Sequence, residues 1–125
     1  MAPLELKCER AFEFAARQLR HLIEAYPDQF PMYTLNGKWV IGGEAWTNWC
    51  EGFLGGQLWL LYEQTDDPYW RQAAMHYSRL IEERKTDRAV HDLGFLFWPT
   101  WQQWYLQTGE AAARDVVKDE AREAG

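Results

Sequence analysis

His91-Asp92-Leu93-Gly94-Phe95 sets a histidine directly beside an aspartate. Asp92 has two readings. An aspartate just ahead of Leu93 and Gly94 suits a helix N-cap, where its carboxylate accepts a backbone N–H. A carboxylate walled by Trp and Phe would instead be desolvated and its pKa raised, which suits it to proton transfer near neutral pH. His91 fits an ordinary loop hydrogen bond or the orientation of Asp92. Trp49 begins an apolar segment and is either a core residue or a flat wall that still offers an N–H. Trp46 is a weaker version of the same idea. Asn48 and Glu51 could hydrogen-bond a polar ligand, although Asn48 serves equally well as a helix cap. His21 and His76 lie on helical stretches without metal-ligand spacing, so no metal is expected. Gly52, Gly55 and Gly56 lack the Gly-Lys-Ser/Thr of a phosphate loop and read as points of close helix approach. Cys50 has no His partner pattern and reads as buried rather than nucleophilic.

The elements that must carry these residues are mostly helical. Over residues 4–26, Cys8, Phe12, Ala15, Ala16, Leu19, Leu22, Ile23 and Tyr26 recur at three- and four-residue spacing, which predicts an amphipathic helix ended by Pro27. Asn36-Gly37 between two apolar runs predicts a hairpin with a two-residue turn. A second helix is expected from about Trp49 to Gln64, capped by Thr47 or Asn48. It carries Phe53, Leu54, Leu58, Trp59, Leu60, Leu61 and Tyr62 on nearly every side, which predicts burial all round. Asp67 as N-cap and Pro68 at the first position open a third, amphipathic helix reaching about Lys85. An aromatic helix over roughly Phe95–Gln107 follows, interrupted or delayed by Pro99, and a polar helix over 110–124 closes the sequence. Trp59, Trp101 and Trp104 lie inside these helices and read as core.

The bulk composition narrows the class. A length of 125 residues fits one domain, and 47% hydrophobic residues is ordinary for a globular protein. Eight Trp is not ordinary, and it points to a broad aromatic core with some rings left for a binding wall. The net charge of -6, with no run of Lys or Arg, argues against a nucleic-acid partner. The N-terminal stretch lacks the pattern of a signal peptide, and no apolar run approaches membrane-spanning length. Cys8 and Cys50 are too few for a disulfide framework and read as reduced thiols, so the expected location is cytoplasmic.

Leu61-Tyr62-Glu63-Gln64-Thr65-Asp66-Asp67, moved by 43 positions, falls on Trp104-Tyr105-Leu106-Gln107-Thr108-Gly109-Glu110, and Arg71 falls on Arg114. A buried helix, a tight turn and an amphipathic helix repeated at that interval predict stacked helical hairpins. The fold expected is therefore all-α, part of an α/α toroid.

The segments from Asn48 to Leu60 and Tyr62 to Thr65, together with His91-Asp92-Leu93-Gly94-Phe95, resemble the unsaturated glucuronyl hydrolases, glycoside hydrolase family 88. The likeness covers roughly residues 5–115, and Trp-x-x-Gly-Phe followed by His-Asp-x-Gly-Phe is its most specific part. The resemblance implies a six-hairpin α/α barrel, of which residues 1–125 form about the first third of one catalytic domain. It implies an enzyme that removes a 4,5-unsaturated uronic acid from the non-reducing end of lyase-generated oligosaccharides by hydrating the sugar's vinyl ether, with no cofactor. It maps one of two essential aspartates onto Asp92 and puts the other beyond residue 125, so this stretch alone is expected to be inactive. Trp49, His91, Trp46 and Asn48 are the expected substrate-binding residues. An unsaturated rhamnogalacturonyl hydrolase, another α/α-barrel glycosidase and a non-catalytic helical-repeat binding module are the alternatives. A ring cut after two and a half hairpins leaves apolar inner faces uncovered, which predicts self-association.

Overall fold

The computed structural model describes residues 2–42, 45–90 and 92–124, with the backbone alone for 45–47, 123 and 124. The first helix, α1, spans Leu4–Ala25 and ends where Tyr26 precedes Pro27. Strands β1 (Pro31–Leu35) and β2 (Lys38–Ile41) form an antiparallel hairpin with Leu35 opposite Lys38. Its turn residues Asn36 and Gly37 both have positive φ, 51° and 73°, as a twist-matched two-residue turn requires. A 3-10 segment, Ala45–Glu51, leads into α2, Gly52–Thr65. Helix α3 (Pro68–Leu80) is followed by a 3-10 turn, Glu82–Thr86. Helix α4 (Gly94–Phe97), a π-helical turn (Trp98–Gln102) and α5 (Gln103–Thr108) run on as one rod, and α6 is Ala111–Ala124. The wide turn falls at Pro99, which has no N–H to give the regular ladder.

The repeat read from the sequence is a repeat of hydrogen bonds. After α2, Thr65 Oγ1 donates to the Leu61 carbonyl at 2.6 Å and accepts from the Asp67 N–H at 3.3 Å. After α5, Thr108 Oγ1 donates to the Trp104 carbonyl at 2.7 Å and accepts from the Glu110 N–H at 3.2 Å. Between threonine and acid, Asp66 (φ 54°) and Gly109 (φ 72°) both take the left-handed conformation, with N–H bonds of 2.8 Å to Tyr62 and Tyr105. Asp67 caps α3 through its side chain, accepting from the Tyr69 N–H at 2.9 Å. Across the repeat, Arg71 pairs with Glu110 at 3.1 Å, and Glu110 also accepts from Trp104 Nε1 at 3.0 Å. The two hairpins are thus fastened at equivalent corners.

Trp59, Trp101 and Trp104 are buried, as expected, together with Leu58, Leu61, Tyr77, Leu96 and Phe97. Trp101 and Trp104 stack at 4.7 Å and 15°. Ser78 anchors two of the rings: its hydroxyl accepts from Trp59 Nε1 at 3.0 Å and its carbonyl from Trp101 Nε1 at 2.8 Å. Helix α2 lies against the aromatic rod because its glycines leave room. A Cβ on Gly52 would stand 2.1 Å from the Phe95 carbonyl oxygen, and one on Gly56 2.7 Å from Pro99 Cβ.

Four expectations are corrected. Helix α2 is not buried all round, since Phe53 is 43% and Leu60 54% exposed. The opposite side of α2 takes the packing against α3 and the rod, and among the described residues this face stays partly open. Neither Thr47 nor Asn48 caps α2, because the 3-10 segment brings the chain in and the cap position is Glu51 with no side-chain bond. Helix α3 ends at Leu80 rather than Lys85, where Ile81 leaves helical geometry (ψ 1°) and a 3-10 turn takes over. In α1, Cys8 and Phe12 are exposed, since only its second half, through Leu19, Leu22 and Ile23, reaches the core.

Candidate functional site

Asp92 ends the connection between the 3-10 turn and α4, where the chain turns sharply. Its φ is 62°, a left-handed conformation that Asp and Asn tolerate better than other side chains. Its carbonyl accepts the Phe95 N–H at 3.0 Å. The cap position of α4 belongs to Leu93, one residue after Asp92. The aspartate borders a cleft of about 430 Å³ with Phe53, Gly94, Phe95, Trp98 and Pro99. A second hollow shares Phe53, Trp98 and Pro99 and extends to Gln57 and Leu60 of α2 and Gln103 of α5. Asp92 is exposed at the cleft.

Trp49 is half-buried at the end of the 3-10 segment and belongs to the same neighbourhood. Its ring lies 5.3 Å from Phe95 and meets Phe53 edge-on at 5.7 Å, while Phe53 and Phe95 are 6.2 Å apart. Asn48 is half-buried in the same segment. Trp46 has its backbone there, but its side chain lies outside the described residues, as does all of His91. The structure therefore packs Trp49 against Phe53 and Phe95, two of the residues that line the cleft Asp92 borders. It adds aromatic wall residues that the spacing did not single out: Phe53, Phe95 and Trp98, the last 64% exposed. Pro99 was the available signal, because the wide turn it marks carries Trp98 beside the cleft.

Ionic contacts brace this corner. Arg84, in the 3-10 turn, donates through Nη1 to Glu51 at 2.5 Å and through Nε to Asp87 at 3.2 Å, all three side chains being largely buried. Burial pushes the Glu51 carboxyl above its ordinary value, and the nearby guanidinium only partly offsets this. Asp87 is held below its ordinary value, first by the Ala89 N–H donating to its carboxylate at 2.9 Å and then by Arg84. Burial raises the Cys50 thiol, which weakens it as a nucleophile. Among the described residues no three His, Cys, Asp or Glu side chains converge as a metal ion would need.

Stacked helical hairpins with an aromatic cleft at one end of the inner pair define part of an α/α barrel, with the candidate acid at its mouth. No protein-family model matches the chain. Known proteins do. It is 33% identical over 98 residues to the unsaturated glucuronyl hydrolase of Bacillus sp. (strain GL1), covering 74% of this chain and 25% of that protein. It is 30% identical over 117 residues to the unsaturated chondroitin disaccharide hydrolase of Streptococcus agalactiae serotype III (strain NEM316), covering 90% of this chain and 29% of the relative. The crystal structure of the Streptococcus agalactiae unsaturated glucuronyl hydrolase superposes with a TM-score of 0.83 and 26% identity, over 98% of this chain and 32% of that one. This chain belongs to the unsaturated glucuronyl hydrolase family. It spans about a quarter to a third of the length of these relatives.

Proposed function

We propose that this chain is the N-terminal third of a glycosidase that removes a 4,5-unsaturated uronic acid from the non-reducing end of lyase-generated oligosaccharides. The observation that carries the reading is Asp92 on its left-handed turn, at the edge of an aromatic cleft in a chain of this family. In a completed barrel, Asp92 exchanges a proton with the vinyl ether or with the water that adds across it. Hydration converts the enol ether to a hemiketal, the ring opens, and the aglycone leaves as an alcohol. Trp49 and the Phe53–Phe95 pair give the sugar's C–H face a wall, and Asn48, His91 and Trp46 supply polar and aromatic contacts around it. No resident metal or organic cofactor enters this scheme. The resemblance puts the second essential aspartate beyond residue 125, so this stretch alone is expected to give no turnover. The substrate class follows the relatives, one of them solved as a complex with dGlcA-GalNAc6S. That favours an unsaturated glucuronyl substrate over an unsaturated rhamnogalacturonyl one.

We place the protein in the cytoplasm, on the two cysteines that remain free thiols. None of the described helices is long and apolar enough to cross a membrane. The test of the reading is a chimera in which this chain replaces the matched segment of the Streptococcus agalactiae hydrolase. Consumption of unsaturated chondroitin disaccharide, followed by loss of its ultraviolet absorbance, is expected. A folded chimera that binds the disaccharide without consuming it would turn the reading to a binding module.

A further inference from the structure

Arg84 makes two contacts, one to the segment that leads into Phe53 and one to the connection that leads to Asp92, and both of those residues line the cleft. Glu51 stands two residues after Trp49 and two before Phe53, so the 2.5 Å bond from Arg84 holds the segment that supplies one aromatic wall. Asp87, 3.2 Å from the same guanidinium, accepts the Ala89 N–H at 2.9 Å and so folds the connection that ends at Asp92. Stability alone is a poor account of this arrangement. A largely buried ion pair is often no better than apolar side chains of the same volume. This one also leaves Arg84 Nη2 buried with no acceptor among the described residues, and an unmet donor costs stability. What the guanidinium supplies, and an apolar side chain would not, is a fork of fixed geometry joining two chain segments.

We propose that Arg84 is a positioning residue for the Asp92 site: by holding Glu51 and Asp87 together, it sets where the Asp92 turn stands relative to the Trp49 wall. The assignment rests on the functional reading above for its chemistry, though not for its geometry. Arg84 touches no substrate in this scheme and acts only through the two carboxylates. Catalytic groups displaced by about an ångström lose on the order of 100-fold in rate, so a clamp at this distance from the cleft is worth keeping.

The test separates positioning from stability. Arg84→Met alone strands a buried Glu51 carboxylate and could fail to fold, so it is paired with Glu51→Gln in a double variant that removes both charges. In the chimera, the double variant is expected to keep its melting temperature and to lose about 10- to 100-fold in kcat. Arg84→Lys keeps a charge beside Glu51 but cannot span both carboxylates, so it is expected to fall between. A second readout uses this chain by itself: amide exchange at Ala89 quickens about 10-fold or more in Arg84→Lys and in the double variant, a tenfold change being about 1.4 kcal/mol of opening free energy. A double variant with native stability and native kcat, or unchanged exchange at Ala89 in both variants, overturns the proposal. An inactive parent chimera, or one unaffected by Asp92→Asn, would instead overturn the functional reading, and the exchange measurement would still decide on the clamp.

Discussion

Two glycines allow the helix contact under the cleft to be tested by a single methyl group. At Gly52 an added Cβ would stand 2.1 Å from the Phe95 carbonyl oxygen and 2.7 Å from Leu96 Cα, both backbone atoms. Ordinary contact begins near 3.4 Å, so one helix must back away by more than an ångström. Forced overpacking of this kind costs about 1–3 kcal/mol, and the upper end applies here because no flexible side chain can yield. At Gly94, the first residue of α4, nothing lies within 4 Å of the built Cβ and φ is not positive. Alanine there should be neutral or stabilise by about 0.4–1 kcal/mol, through the unfolded chain. Urea unfolding followed by tryptophan fluorescence reads both. Gly52→Ala is expected to lower the midpoint sharply and Gly94→Ala to hold or raise it. Equal midpoints for the two variants would refute the claim that α2 and the rod meet backbone to backbone.

The uncovered face of Phe53, Leu60, Phe95, Trp98 and Leu106 should make the chain self-associate, and Leu60→Glu should reduce this without loss of helix. Sedimentation showing a compact monomer for the parent chain would contradict it. Ser78→Ala leaves the buried Trp59 Nε1 without its acceptor and should cost about 1–3 kcal/mol, read by the same urea midpoints. Burial raises the Glu120 carboxyl above its ordinary 4.5. Because the folded state favours the protonated form, stability from this group is present below about pH 4.5 and is lost as pH rises through the folded pKa. Glu120→Gln should therefore gain on the parent as pH rises from acid to neutral, and a difference that does not vary with pH would sink the assignment.

What was legible in the sequence were features with a local cause. Asp67-Pro68 fixes a helix start, Asn36-Gly37 fixes a hairpin turn, and the threonines at 65 and 108 each close the same corner with their own side chains. Burial of Trp59, Trp101 and Trp104 followed from their places within apolar helices. What the sequence withheld depends on partners distant in the chain. Leu60 and Leu61 are identical in type, yet one is 54% exposed and the other buried, because only the position of α3 and the rod decides which side is covered. The 3-10 entry into α2 leaves no local mark in the sequence, because Asn48 is a good cap wherever a helix happens to begin. Arg84 and Glu51 are 33 positions apart and carry no motif, so their clamp appears only once the connection to Asp92 is folded.

The central claim, that Asp92 is a proton-transfer residue and not a structural turn residue, has a direct measurement. Asn is among the side chains that best tolerate the φ of 62° found at Asp92, so Asp92→Asn should preserve the turn while removing the exchangeable carboxyl proton. In the chimera, the rate of ultraviolet absorbance loss from unsaturated chondroitin disaccharide is expected to fall by about 10²–10⁴-fold. The melting temperature should stay unchanged. An Asp92→Asn chimera that consumes the disaccharide at the parent rate would contradict the account.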